Sequence, residues 1–300
     1  MSVRFEKPSR LVPGDVIRVV APSSPFDVEE FERGLEVLSG RYELRYEPSI
    51  AERSGYLAGD DRRRSEELLT ALCDPEAKAI LSARGGYGSM RILRALPHSL
   101  LRNHPKLFIG CSDLTALHAR FHRAGLMSIH GPMLARIGAL GMDHAAPLID
   151  MMEGRANGRR LFAKASRGGD AEGRLFGGNL TLIAALLGTN ELPDLRGTIL
   201  AVEEVNERPY RVDRLLTQLS LAGVFDEIQA LVFGDFLGGE PGADGTTMAD
   251  VLEEFLDRHP RLPCLSGLPF GHGERNEPLP LGARVRIEGR ALEFLEEVVN

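Results

Sequence analysis

The first 125 residues alternate short apolar runs with stretches whose apolar residues recur every three or four positions. Few chains satisfy that rhythm except by laying parallel strands beneath helices. "DVIRVV" reads as a buried strand, Val16 to Val20, running into the turn "APSSP" and then the helical spacing of Phe31, Leu35 and Leu38. "YELRYEP" is the next strand. A helix starting near Asp60 carries Leu68, Leu69 and Leu72 inward, "AKAILSARGGYG" gives a third strand ending in glycines, and "SMRILRAL" is again helical. "KLFIG" is the fourth strand, and "DLTALHARFHRAG" the helix after it, closed by Gly125 as a left-handed cap. Ligands of such sheets collect outside the carboxyl ends of the strands. The turn from Pro22 to Pro25, the stretch from Gly85 to Gly88 and that from Gly110 to Asp113 all fall on that edge.

The pattern loosens from about residue 140, where "EGRANGRRLFAKASRGGDAEGRL" has the Gly, Arg and small-residue content of a surface connection. With 300 residues and 43% hydrophobic composition, two cores are favoured over one. The expected division is an α/β domain over 1–145, a connecting segment over 146–172 and a second domain over 173–300. That second domain reads as "LTLIAALLG" (helix), "GTILAVEEV" (strand), "RVDRLLTQLSLAG" (helix), "ALVFGDF" (strand), "MADVLEEFLDRH" (helix) and a final strand-like "ARVRIEGRALEFLEE".

A net charge of -7 and a pI near 5.7 give no broad positive field, which argues against nucleic acid and anionic membrane as partners. No apolar stretch approaches the roughly 20 residues needed to span a bilayer. "MSVRFEKPSR" lacks the apolar core of a signal peptide, so the mature chain is expected to begin there. Cys73, Cys111 and Cys264 are widely spread, with neither a disulfide framework nor zinc spacing, as befits a reducing cytoplasm.

Two adjacent nucleophiles, Cys111 and Ser112, sit where the fourth strand passes into its helix. A nucleophile on such a turn is held away from its own backbone, and the amide after it can donate to an oxyanion. The elbow motif G-x-S-x-G would want glycine where Leu114 stands, and a serine or aspartate capping the next helix explains the same residues. Adjacent residues at a strand end point in opposite directions, so one of the pair faces the cleft, and local sequence leaves open which.

In "ARGGYGS" a dinucleotide fingerprint begun at Gly86 would need glycine at the place of Arg91, so the loop offers amides to an anion or is a plain tight turn. "ILAVEEVNERPYRVDRLL" places Glu203 and Glu204 on opposite sides of a strand, one free to face a site and the other solvent. Arg211 and Arg214 follow on one helix face, where they could clamp a carboxylate or pair with Glu207. His272, isolated between glycines in "LPFGHGERNEPLPLG", is the best candidate base among the histidines. His118 and His122 stand four apart, but "HARFH" lacks the glutamate of HExxH, and a solvated face is the expected setting. His130 could line the cleft and is given no role.

Together "APSSP", "GYLAGDDRRRSEELL", "ARGGYGSMRIL", "GCSDLTALH", "HGPM", "GGNLTLIAALLGT", "EEVNERPYRVDRLLTQL" and "GLPFGHGERNEPLPLG" resemble, in order, the blocks of the LD-carboxypeptidase family of serine peptidases, which also holds the microcin immunity peptidases. The resemblance implies an α/β fold: an amino-terminal parallel-sheet domain similar to class I glutamine amidotransferases, with a smaller carboxy-terminal β/α domain. It matches the family nucleophile to Ser112, the acid to Glu203 and the base to His272. Cys111 falls where the family varies, and Glu204 stands where many relatives have aspartate. A homodimer is implied, and no cofactor or metal. Microcin immunity relatives stack a nucleotide-like substrate on an indole, and this chain has no tryptophan, so murein peptide is the expected substrate.

On that resemblance Ser112 is expected to cut terminal D-alanine from murein tetrapeptide. The amides of Asp113 and Gly86 would hold the oxyanion, and Arg84 or Arg211 the terminal carboxylate. Two other readings stay open: an amidase acting on a peptide-nucleotide, and a catalytically idle peptide-binding module.

Overall fold

A computed structural model describes residues 5–300, so only part of the segment expected to lack a signal peptide falls among the described residues. The chain forms two compact units. The first runs through Ala156 and takes back Glu277–Gly282 and Glu297–Asn300; the second is Asn157–Asn276 with Ala283–Glu296.

In the first unit the order is β1 (Val16–Val20), α1 (Val28–Ser39), β2 (Glu43–Arg45), α2 (Asp61–Cys73), β3 (Ala77–Ser82), α3 (Ser89–Ile92), α4 (His98–Asn103) and β4 (Leu107–Gly110). Then come α5 (Thr115–Arg123), β5 (Ser128–His130), α6 (Leu134–Leu140) and α7 (Met142–Met152). The second unit contributes β6 (Arg160–Phe162), β7 (Ala165–Arg167), β8 (Ala171–Asn179), α8 (Leu180–Leu186), β9 (Thr198–Val205), α9 (Pro209–Leu221), α10 (Val224–Glu227), β10 (Ala230–Leu237), α11 (Met248–Arg258) and β11 (Cys264–Ser266). The chain then returns to the first unit with β12 (Leu279–Leu281) and closes the second with β13 (Arg284–Glu288) and β14 (Ala291–Phe294).

Among the described residues the first sheet runs β12-β5-β4-β3-β1-β2, parallel except where β12 meets β5. Its central strands are buried on both faces, which is why "VIRVV", "AKAILS" and "LFIG" are continuous apolar runs with little alternation. Phe108, Ile109 and Leu81 are fully buried, each contributing about 1.5–3 kcal/mol. The starts of α1 and α2 are capped by side chains: Asp27 accepts from the Glu30 amide at 3.0 Å and Asp60 from the Arg63 amide at 2.7 Å.

The second sheet runs β6-β14-β13-β8-β9-β10-β11-β7, with β8 to β11 parallel and the flanking strands antiparallel. The fold is thus α/β with a parallel sheet and a second sheet, as the sequence implied. Two details differ. The stretch 146–172, expected as a connection, holds the end of α7 and the edge strands β6 and β7, whose pairing with β14 and β11 short sequence windows do not reveal. The final strand-like segment is a hairpin, turned at Gly289 with φ +58°.

Candidate active site

In the first unit β4 delivers Cys111 and Ser112 to the carboxyl edge of the sheet. Cys111 is extended and buried, whereas Ser112 has φ 63°, the left-handed region, and is part-exposed. For a serine that backbone costs about 1–2 kcal/mol and is held only where neighbours fix it. The neighbours are specific. Asp113 accepts from the Ser23 hydroxyl at 2.5 Å and the Ser89 amide at 2.8 Å, its carbonyl accepts from the Ser89 hydroxyl at 2.6 Å, and the Ser112 carbonyl accepts from the Thr115 hydroxyl at 2.7 Å. The Asp113 amide lies in the first helical turn, where no intrahelical acceptor exists.

The glycine loop after β3 comes up against this elbow. A Cβ on Gly85 would fall 3.2 Å from Ser112 Oγ, so the close approach requires glycine. The Gly85 carbonyl accepts from the Ser24 amide at 3.2 Å. A trans peptide aims its C=O and N–H oppositely, so the Gly86 amide points away from Ser24. Arg84 donates to the Pro25 carbonyl at 2.7 Å.

Sequence reasoning set His118 on a solvated face; it is fully buried beneath the elbow. Its Nε2 lies 2.8 Å from the Gly110 carbonyl and its Nδ1 2.8 Å from the Ser128 hydroxyl. Burial pushes its pKa down to about 4, so the ring stays neutral. His122 is buried as well, and His130 lies fully buried at the end of β5.

In the second unit β9 carries Glu203 and Glu204, and both are buried. Glu203 Oε2 accepts from His272 Nδ1 at 2.6 Å, which leaves Nε2 as the acceptor of the ring. Burial raises the Glu203 pKa, opposed by its hydrogen bond to His272. Glu204, expected to be the solvent-facing member of the pair, instead caps α8: it accepts from Asn179 Nδ2 at 2.9 Å, the Thr181 amide at 2.8 Å and the Thr181 hydroxyl at 2.7 Å. An unsatisfied helix start consumes the charge that solvent was expected to take.

The loop bearing His272 is pinned on both sides. Gly271 donates to Asn276 Oδ1 at 3.1 Å, and Gly273 to Asp235 Oδ2 at 2.9 Å. Asp235 was missed by sequence reasoning. It stands at an irregularity of β10, where the register with β9 shifts between Phe233 and Phe236, and burial raises its pKa. Arg211 lies on α9, 3.3 Å from Glu207 and 3.2 Å from the Tyr210 hydroxyl.

Among the described residues no group of three or more His, Cys, Asp or Glu side chains could hold a metal ion, and no helix is long and apolar enough to cross a membrane. Comparison with known families matches residues 17–131 to the LD-carboxypeptidase N-terminal domain and residues 172–287 to the LD-carboxypeptidase C-terminal domain.

The chain belongs to the LD-carboxypeptidase family.

Membership makes it a peptidase of the carboxypeptidase type. A relative from Bacillus subtilis, named "Probable murein peptide carboxypeptidase", is 35% identical over 94% of this chain and 91% of its own. The crystal structure of muramoyltetrapeptide carboxypeptidase from Oxalobacter formigenes superposes with a TM-score of 0.83 at 32% identity, covering 92% of this chain and 97% of that one. The microcin C7 self-immunity protein MccF superposes with a TM-score of 0.89 at 25% identity, covering 98% and 99%. Both branches of the family therefore share this fold.

Proposed function

We propose that this family member is a serine carboxypeptidase of cell-wall recycling that removes the terminal D-alanine of murein tetrapeptide across an L,D-peptide bond. Ser112 Oγ attacks the scissile carbonyl, His272 Nε2 takes its proton and returns it to the leaving amine, and Glu203 orients the imidazole and stabilises its cationic form. The amides of Asp113 and Gly86 receive the oxyanion, each donor being worth about 3 kcal/mol of barrier. Water then releases the acyl-enzyme. The first unit supplies the nucleophile and the second the acid and base. Arg84 or Arg211 binds the terminal carboxylate, and the enzyme works as a cytoplasmic homodimer.

The single observation that carries this reading is the 2.6 Å contact between His272 Nδ1 and Glu203 Oε2. A carboxylate buried on one imidazole nitrogen prepares the other to act as a base. The names borne by the Bacillus and Oxalobacter relatives point to murein peptide as substrate. The test is incubation with murein tetrapeptide, free and within muropeptide, with mass spectrometry for loss of one D-alanine. Ser112→Ala, Glu203→Ala and His272→Ala should each abolish the loss while the protein stays folded, and full activity in any of them would sink the assignment.

A second reading, an amidase acting on a peptide-nucleotide, is favoured by the likeness to MccF, which has been solved in complex with aspartyl sulfamoyl adenosine. The absence of tryptophan removes the expected base-stacking contact and favours murein peptide. Cleavage of an aminoacyl-adenylate analogue with no action on tetrapeptide would reverse that preference.

A further inference from the structure

Ser24 belongs both to the glycine loop and to a second feature of the first unit. Its hydroxyl accepts from the Tyr87 amide at 3.1 Å. It also lines an open pocket of about 440 Å³ with Pro25, Phe26, Asp27, Arg53, Tyr56 and Arg84. The two arginines differ from many others in the chain. Arg41, Arg45, Arg155 and Arg196 each face a carboxylate, whereas Arg53 donates to the Phe26 carbonyl at 3.3 Å and Arg84 to the Pro25 carbonyl at 2.7 Å. Among the described residues neither has an ion-pair partner.

Each of these contacts occupies one terminal nitrogen, so the rest of each planar fork can still meet an anion side-on. Asp27, the acid lining the pocket, is engaged as the cap of α1 through the Glu30 amide. The pocket therefore carries net positive charge in a chain whose net charge is -7. Two exposed aromatic rings adjoin it: Tyr56 in the lining and Tyr87, 64% and 52% exposed, with centroids 5.5 Å apart. Exposed tyrosines beside unpaired guanidiniums are the composition of a recognition surface.

We infer that this pocket is a carboxylate-binding subsite for the peptide substrate, in which Arg53 and Arg84 grip a free carboxylate and Tyr56 covers the adjoining chain. The inference rests on the peptidase reading above and narrows its choice of arginine. Arg211 already has Glu207 and Tyr210 as partners, whereas Arg84 immediately precedes the glycine that touches Ser112. Ser24, which lines the pocket, also donates its amide to Gly85, the glycine that packs against Ser112, so the pocket is placed to hold a carboxylate of the peptide being cut. It is either the terminal carboxylate or an internal one of the tetrapeptide.

The test is calorimetric binding of murein tetrapeptide to the full chain carrying Ser112→Ala. Arg53→Gln and Arg84→Gln are each expected to weaken binding about tenfold or more, as loss of a charge-assisted hydrogen bond does. Amidating the carboxylate that the pocket holds should weaken binding to the same level, after which the Gln substitutions cost nothing further. Which amidation has this effect, at the terminus or internally, identifies the carboxylate. A misfolded pocket would lose affinity for free and amidated peptide alike, so the amidation dependence separates recognition from damage. Binding indifferent to both arginines, penalties that persist in full with every amidated peptide, or no binding at all would overturn the inference. Hydrolysis of tetrapeptide by the wild-type chain is scored separately. Hydrolysis with arginine-independent binding removes the subsite and spares the peptidase; arginine-dependent binding without hydrolysis does the reverse.

Discussion

Gly271 lies against Glu203 so closely that a Cβ built on it would fall 3.0 Å from both the Cβ and the Oε2 of the glutamate. The same glycine has φ +122°, a conformation L-residues rarely adopt. The backbone beside the proposed base is therefore seated directly on the proposed acid, and no larger residue fits without moving His272. Gly271→Ala should lower kcat/KM about 100-fold, the cost of displacing a catalytic group by about 1 Å. Steady-state kinetics on tetrapeptide with a melting curve for the same variant checks this. Normal kinetics would show that the contact has no catalytic purpose.

Glu203→Gln keeps the shape of the acid but turns an anionic acceptor into an amide that tolerates the wrong imidazole tautomer. A fall in kcat of about 10⁴ is expected. Recovery of most of the activity at high pH would indicate that only the charge state of His272, and not its tautomer, depends on Glu203.

Ser112 holds a left-handed backbone, and two variants expected to be inactive separate strain from chemistry. Ser112→Ala keeps the unfavourable φ, whereas Ser112→Gly relieves it at some entropic cost. Both should fail to hydrolyse tetrapeptide, with the glycine variant the more stable of the two by about 1 kcal/mol in denaturant unfolding. An alanine variant as stable as the glycine one would mean that the elbow stores no strain.

His118 gives a stability prediction with a definite sign. Its folded pKa, about 4, lies below the ordinary histidine value of 6.5, because the ring is buried neutral between the Gly110 carbonyl and the Ser128 hydroxyl. Above pH 6.5 both folded and unfolded rings are neutral. As pH falls from 6.5 toward 4 the unfolded chain takes up the proton and the folded one does not, so stability drops by on the order of 3 kcal/mol. His118→Gln should flatten the slope of unfolding free energy in that window. An unchanged slope would place the titration elsewhere.

The strands and the elbow were legible in the sequence because a parallel sheet buried on both faces leaves uninterrupted runs such as "LFIG" and "VIRVV". What was not legible depended on partners remote in the chain. His118 and His122 looked solvated because polar rings on a helix usually are, and the hydrogen-bond partners that let His118 be buried come from β4 and β5. Glu204 looked solvated because the amides it caps belong to α8, more than twenty residues earlier. Asp235 sits in "VFGDF", an ordinary buried strand by composition, and an irregular register with β9 is needed to present it to Gly273. Arg53 carried no signal at all, since an arginine in a polar loop is conspicuous only once the structure sets it beside Arg84 on one pocket.

The excursion of the polypeptide out of the first unit at Asn157 and its return at Glu277 bear on how the protein can be cut apart. A fragment ending at residue 156 would carry the nucleophile yet lack β12, and so would display the bare flank of β5 to any passing chain. The halves of this molecule are not separable by a single scission. Whoever wishes to study the nucleophile's half alone must splice the Glu277–Gly282 segment back beside Ser128–His130, or expect a sticky, self-associating product.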